Sequence, residues 1–449
     1  MSKTCSLVMR VTERNLLMRA DYRPIRIGLL GAGSVGSQVF KLIQEDADEL
    51  ANRIGAQLQI SGVLVRSLDA SRDYSIPKEF LTTDAESVIL GSDIVVELIG
   101  GIQPALDYVR MALESGSDVV TANKALLANH GPEIFELAER VGAQVYYEAS
   151  VAGAIPIIRP LRESLAGDTV TRIMGIVNGT TNFILDQMES TGASFGAALE
   201  QAQQLGYAEA DPTADVGGFD AAAKAAILSS LAFHTEVHID DVYTEGIEKI
   251  TQLDIESAKD AGYTVKLLAV CERVDDDSIA ARVHPTLIPQ THPLASVRGA
   301  FNAVFVESEA SGELMFYGAG AGGIETASAV LGDVVMAAKR HLGGGSTLNE
   351  STHAKLSILP IEDIVTRYQV SLEVKDEPGV LAVIASMFAE LEISVETLEQ
   401  STIDSESETV LLTVITHETS ERSLQKLIEK LNQSEVVAEF KGQVRVEGV

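Results

Sequence analysis

From Ile25 onward, short apolar runs alternate with helix-length segments: "IRIGLLGAG", a helical pattern from about Val35, then "LQISGVLVRS", "SDIVVELIGG", "DVVTANKALL" and "AQVYYEAS". Unbroken apolar strands separated by helices predict a parallel sheet covered on both faces. This α/β rhythm defines a Rossmann-type domain over 25–155. After Pro156 the pattern changes to a helix, a strand ending in "GIVNGTTNFIL", an acidic stretch, an Ala-rich helix and strands such as "TVKLLAVCER" and "SIAARVHPTLI". That order predicts an α+β domain with an open sheet over 156–316. The segment "YGAGAGGIETASAVLGDVVMAAKR" reads as a loop feeding a helix, about 317–340, that returns to the first domain. Glycines 343 to 345, weak periodicity and Pro360 mark 341–367 as a flexible linker. From Tyr368 the order strand, turn, helix, strand is followed by strand, helix, strand, a ferredoxin-like βαββαβ module over 368–449. Residues 1–24 read as an N-terminal extension.

Composition narrows the function classes. At 449 residues the chain exceeds one hydrophobic core. A formal net charge of −31, with 34 Lys and Arg against 65 Asp and Glu and no basic stripe, argues against a nucleic-acid partner. No apolar run approaches the ~20 residues a membrane helix needs. Cys5 and Cys271 are too few for a disulfide framework and too far apart for a metal motif, so a reducing, cytoplasmic setting is expected.

The chemistry-bearing motifs each have a plainer alternative. "GLLGAGSVG" sets Gly31, Gly33 and Gly36 in a GxGxxG pattern between strand and helix, with Ser34 and Val35 at the helix start. Small residues there let a pyrophosphate approach the helix N-terminus; the alternative is a simple tight turn. Arg66 stands near the end of the second strand, where an acid would hold the ribose of NAD, and it suits the 2'-phosphate of NADP. Lys124 follows a predicted parallel strand at the edge where open α/β sheets bind ligands, unless it is a solvated loop lysine. In "GYAEADPTADVGGFDAAAK", Asp220 and Lys224 stand at i and i+4 on one helix face, downstream of Glu209, Asp211 and Asp215. An isolated helical pair contributes only about 0.3–0.5 kcal/mol, whereas several carboxylates at one helix end can bind an ammonium group and orient the lysine. Thr180 and Thr181 in "NGTTNF" offer hydroxyls and amides to a carboxylate, or form a solvated turn. His234 and His238 have metal-pair spacing but sit where the helical pattern stops, which suits the helix dipole.

Taken together, "GAGSVG", "ELIGG", "TANKALL", "YYEASVAGAIPI", "GIVNGTTNFIL" and the stretch Ala202–Lys224 resemble homoserine dehydrogenase over about residues 25 to 350. The tail, with "VKDEPGVLAVIA", resembles an ACT domain. The resemblance implies NAD(P)-dependent reduction of L-aspartate 4-semialdehyde to L-homoserine in the biosynthesis of threonine, methionine and isoleucine, with NADP favoured and NAD usable. It implies Lys124 and Lys224 as active-site lysines, Lys224 in proton transfer, and Asp220 as an active-site acid. It assigns Glu209 to the substrate ammonium, with Asp215 and Thr180 as further substrate contacts and Gly322 on the cofactor side. Glu148 with the carbonyls of Val151, Gly153 and Ile155 matches a structural sodium site. A homodimer or homotetramer and an amino-acid effector, L-threonine first, are implied as well. Glu325 departs from the family pattern, which has an apolar residue or proline there; an acid beside the cofactor phosphates would weaken NADP binding. Two competing readings are a thioester-forming aldehyde dehydrogenase, which needs a cysteine nucleophile, and a non-catalytic amino-acid sensor with a vestigial nucleotide domain.

Overall fold

The computed structural model describes residues 23–70, 72, 74–344, 352–402 and 408–448. The expected N-terminal extension lies almost wholly outside them. The chain divides into two compact units, Met1–Pro160 with Ala321–Ser351, and Leu161–Gly320 with Thr352–Val449.

In the first unit, β1 (Ile25–Leu30), β2 (Leu58–Leu64), β3 (Leu81–Thr82), β4 (Ile94–Glu97), β5 (Asp118–Thr121) and β6 (Val145–Tyr146) form a sheet of order β3-β2-β1-β4-β5-β6. Every pairing is parallel. The central strands are apolar on both faces because helices cover both, and "IVVE" and "DVVT" are buried at every position. The helix Gly323–Gly343 joins this core: its Ala327, Val330, Val334 and Ala337 cluster with Ile27, Val39 and Phe40. Its last turn is tied to the first residue of β5, where Arg340 Nη1 donates to both Asp118 carboxylate oxygens at 2.7 and 2.9 Å.

The second unit is built on one mixed sheet. Its strands are β7 (Val170–Ile176), β8 (Tyr243–Thr244), β9 (Tyr263–Arg273), β10 (Ser278–Pro289), β11 (Phe301–Ser308), β12 (Gly312–Ala319), β13 (Ser357–Ile358), β14 (Val365–Lys375), β15 (Val395–Thr402), β16 (Thr409–Thr416), β17 (Thr419–Ser420) and β18 (Val437–Val446). The path runs β12-β11-β7-β9-β10-β18-β14-β16-β15. The helix Phe219–Phe233 packs against β9 and β10, and nearly all of its residues are buried, which explains the alanines: small side chains let it lie close on the sheet.

The βαββαβ module has its own core of Tyr368, Val370, Leu372, Ile384, Phe388, Leu412, Leu424 and Leu427. Its strand order, fourth-first-third-second, is that of a ferredoxin-like sheet. The segment before it departs from a free tether. Within 352–367, β13 pairs with β10 at Ser278 and Ile279, and β14 has already begun at Val365. The module is further joined edge to edge, because β18 pairs in parallel with β10 through Thr286–Arg445 and Leu287–Val446.

Buried charges line this junction. Arg282 donates to Glu272 Oε1 at 2.5 Å and to Glu447 Oε1 at 2.7 Å, while Arg172 also reaches Glu447. Arg445 donates to Glu245 Oε2 at 3.0 Å and Glu421 Oε2 at 2.8 Å, and Tyr368 Oη donates to the same Glu421 oxygen at 2.8 Å. Burial alone would raise the Glu447 carboxyl, but Arg282 and Arg172 hold it below the ordinary glutamate value. His284, fully buried among Arg445, Arg282 and Arg172, is pushed well below its usual range and stays neutral.

Candidate active site

The glycine-rich turn of the first unit follows β1, at the carboxyl edge of its sheet. Gly31 has φ +106°, and a Cβ there would meet Leu98 O at 2.8 Å. A Cβ on Gly36 would meet Gly31 O at 2.2 Å, so the turn closes only with glycine at both positions. Nothing lies within 4 Å of where a Gly33 Cβ would stand. The helix Ser34–Glu45 starts there, Val35 in its first turn, with Gly33 as N-cap and no side-chain cap, so its first amides point out unsatisfied. The second helix N-terminus of this unit adjoins it, since a Cβ on Gly323 would meet Ser34 Oγ at 2.7 Å. Gly322, φ +143°, caps that helix, and the Glu325 carboxylate folds back over it: a Cβ on Gly322 would lie 2.1 Å from Glu325 Oε2. Arg66 is exposed just beyond β2.

Lys124 is the first residue of the helix Lys124–Val141 and is exposed. Its placement depends on residues that the sequence reading passed over. Glu97, fully buried at the end of β4, accepts from Ile99 N at 2.8 Å, Gly100 N at 3.2 Å and Thr121 Oγ1 at 2.7 Å. Asn123 caps the Lys124 helix through Leu126 N at 3.1 Å and donates to Gly101 O at 2.6 Å. The "ELIGG" loop and the Lys124 helix start are therefore fixed by one network. Periodicity marks Glu97 only as the polar end of an apolar strand.

Glu148, also in this unit, is 1% exposed, and its carboxylate is taken up by donors: Ile157 N at 2.6 Å, Ile158 N at 2.8 Å, Arg159 N at 3.0 Å and Arg159 Nε at 2.7 Å. The chain between them, carrying Val151, Gly153 and Ile155, turns through positive φ at Ala152 (57°) and Gly153 (58°).

In the second unit, the acidic stretch and its lysine come together at the end of β7. Lys224 is 8% exposed, and its Nζ donates to Asp220 Oδ2 at 2.7 Å and Val177 O at 2.5 Å. An ammonium has three N–H groups, and these two acceptors take two of them. Asn178 Nδ2 donates to Asp215 Oδ1 at 2.7 Å and Asp220 Oδ2 at 2.9 Å. Glu209 is exposed on the loop ahead of these acids, where Gln203 Nε2 holds its carbonyl at 3.1 Å. Thr180 is buried and its hydroxyl donates to Tyr207 O at 2.6 Å, while the Thr181 hydroxyl lies 3.1 Å from Asn178 O. Both hydroxyl protons are spent inside the protein, so a carboxylate at this helix end would have to bind main-chain amides.

Other candidates stand apart. Cys271 is buried in β9, and burial pushes its thiol up to about 11, unsuited to nucleophilic attack; Cys5 lies outside the described residues. The helix Phe219–Phe233 ends before His234, and the two histidines face different surroundings, His234 stacked on His353 and His238 beside Glu236. Among the described residues no group of three or more His, Cys, Asp or Glu is arranged to hold a metal, and no helix is long and apolar enough to cross a membrane.

Comparison with known proteins shows the family. The family model described as homoserine dehydrogenase matches residues 156–335, the homoserine dehydrogenase NAD binding domain matches 31–148, and an ACT domain matches 368–436. The homoserine dehydrogenase of Corynebacterium glutamicum is 52% identical over 429 residues, covering 94% of this chain and 96% of that protein. The crystal structure of a homoserine dehydrogenase from Thiobacillus denitrificans superposes with a TM-score of 0.87 at 40% identity, over 95% of this chain and 98% of that one. A hyperthermophilic archaeal homoserine dehydrogenase in complex with NADPH aligns with a TM-score of 0.59 at 28% identity, over 70% of this chain and 98% of its own. With an α/β nucleotide unit, a mixed catalytic sheet and an ACT module in one chain, this protein belongs to the homoserine dehydrogenase family and is an oxidoreductase of that kind.

Proposed function

We propose that the chain interconverts L-aspartate 4-semialdehyde and L-homoserine, with NADP as preferred cofactor and NAD usable, and that Lys224 carries the proton. The observation that supports this most directly is the buried Lys224 ammonium, held by Asp220 and Val177. Reduction adds a hydride to the aldehyde carbon and a proton to its oxygen; NAD(P)H supplies the hydride when bound. The Lys224 ammonium stabilises the negative charge that develops on that oxygen and delivers the proton, and in the reverse direction the neutral amine takes it back. Glu209 and Asp215 pair with the substrate ammonium, and the amides at the start of the Thr180 helix receive its carboxylate. Lys124 serves the nicotinamide side of the reaction.

The tight glycine turn and the unsatisfied helix N-terminus suit a pyrophosphate, and Arg66 suits a 2'-phosphate. The archaeal relative's NADPH complex supports a nicotinamide cofactor. For sodium, the Glu148 side chain is already saturated, so the ion fits only if main-chain oxygens of Glu148, Val151, Gly153 and Ile155 hold it. An oxygen-only shell suits a hard cation. A homodimer through the catalytic sheet is supported by its edge strand β12, where Tyr317 (55% exposed) stacks on Phe301 (46% exposed) at 5.3 Å. In the ACT module, a cleft beside the Asp376–Gly379 turn suits a small amino acid, L-threonine first, as feedback effector of threonine, methionine and isoleucine biosynthesis in the cytoplasm.

The decisive assay is homoserine-dependent reduction of NADP. Lys224→Ala should lower turnover by about 10²–10⁴ while leaving NADPH binding intact, because the residue lies outside the nucleotide-binding unit. The chain has no Trp, so NADPH emission can be titrated without that energy donor. Turnover at the wild-type rate in this variant would refute the assignment.

A further inference from the structure

We propose that Asn178 is a positioning residue for this reaction: its single amide holds Asp215 and Asp220 side by side and thereby fixes Lys224. The inference rests on the reading of Lys224 as the proton-transferring lysine.

Asn178 is 5% exposed and follows the last residues of β7. Its Nδ2 carries two hydrogens, one for Asp215 Oδ1 at 2.7 Å and one for Asp220 Oδ2 at 2.9 Å. Its Oδ1 accepts from Thr181 N at 2.9 Å and Thr181 Oγ1 at 3.0 Å, which caps the helix Gly179–Thr191. Only this amide orientation is tenable, since the reverse would face a carbonyl oxygen toward two carboxylates and an NH₂ toward the Thr181 N–H. All its hydrogen-bonding capacity is thus directed by strand, helix and acids together. Asp220 Oδ2 is shared between the Asn178 amide and Lys224 Nζ, and the preceding residue, Val177, gives the lysine its other acceptor. Two consecutive residues at one strand end therefore set the lysine, one directly and one through its acid. Capping alone needs only an acceptor, and serine would serve as well. The amide hydrogens and their two carboxylates are what a cap does not require.

Two substitutions separate these roles. Asn178→Ser keeps a cap acceptor but removes the amide hydrogens. It should lower kcat about 10- to 100-fold, the scale of a misplacement near 1 Å, and leave the KM for NADP unchanged. Asn178→Asp keeps the cap and sets a third acid against the other two. Like charge makes the introduced carboxyl hold its proton to a higher pH than usual, and only when protonated does it donate a hydrogen bond. Its kcat relative to wild type should fall as pH rises through that titration, a dependence the serine variant lacks. Wild-type kcat in the serine variant, or a kcat–pH profile of the aspartate variant that overlays wild type, would overturn the proposal. If the serine variant fails to fold, the aspartate profile decides. Lys224→Ala run in parallel separates the two claims: if it retains turnover, the reading of Lys224 fails. If it is inactive while both Asn178 variants behave as wild type, only the positioning role fails.

Discussion

Lys266 is fully buried on β9 and takes no part in the proposed chemistry. Its Nζ donates to Asn182 Oδ1 at 3.0 Å and Val297 O at 2.6 Å, and Asn182 Nδ2 reaches Gly299 O at 2.9 Å, so the two side chains pin one loop to a helix. Burial, aided by Arg298, lowers its pKa from 10.5 to about 8 against the pull of Asp186 and Glu189. Between about pH 8 and 10.5 the unfolded chain therefore binds more of this proton than the folded one, and stability from this residue rises with pH across that window. In urea melts, wild type should gain on Lys266→Met from pH 8 to 10.5, whereas parallel curves would contradict the assignment. No periodicity in "TVKLLAVCER" distinguishes this lysine from a solvated one, because its partners come from elsewhere in the chain. The same limit applies to "NGTTNF": the threonine hydroxyls look like ligand groups, yet their protons are used internally, and Asn178 has the wider reach. The i and i+4 spacing of Asp220 and Lys224 needs no tertiary information, and that pair was legible.

At the level of elements, local rules carried furthest where one strand and one turn decide the outcome. Gly31 and Gly36 of "GLLGAGSVG" work by excluded volume, which sequence displays directly, and Arg66 stands just past β2 as strand length predicts. Arg66→Asp should therefore shift the ratio of catalytic efficiencies toward NAD, because a 2'-phosphate would lose a charge-assisted partner and meet a like charge. An unchanged ratio would show that Arg66 does not serve the phosphate. Glu325 is harder to read, since its effect depends on where its side chain turns. It folds over Gly322 at a helix N-terminus, where a carboxylate is stabilised by the dipole and occupies ground suited to phosphate. The parallel pairing of β10 with the two-residue strands β13 and β8 and with β18 was not legible, because register between distant strands leaves no local signature.

On the scale of the whole chain, the βαββαβ order of the ACT module was plain in sequence, but its attachment was not. Glycines before it suggested a loose tether, whereas the catalytic and ACT sheets are continuous through β10 and β18. A truncation ending near Glu362 would remove Glu447, take one of the two carboxylates from Arg282 and uncover the part of β10 that β18 pairs with. Removing the module should thus destabilise the catalytic sheet as well as abolish any threonine response. Threonine regulation is better tested on the full chain, as activity against threonine concentration; an unresponsive enzyme would count against the ACT module as effector site. The shared ladder also provides a clock. Glu447 N donates to Leu287 O at 3.0 Å across the seam, so that one amide can exchange its hydrogen only when the two sheets part. Exchange as slow as that of Leu412 in the ACT core would mean that sensing and catalysis open as a single cooperative unit. Rapid exchange would mean that the effector acts across a joint that breathes, and the rate would tell how often.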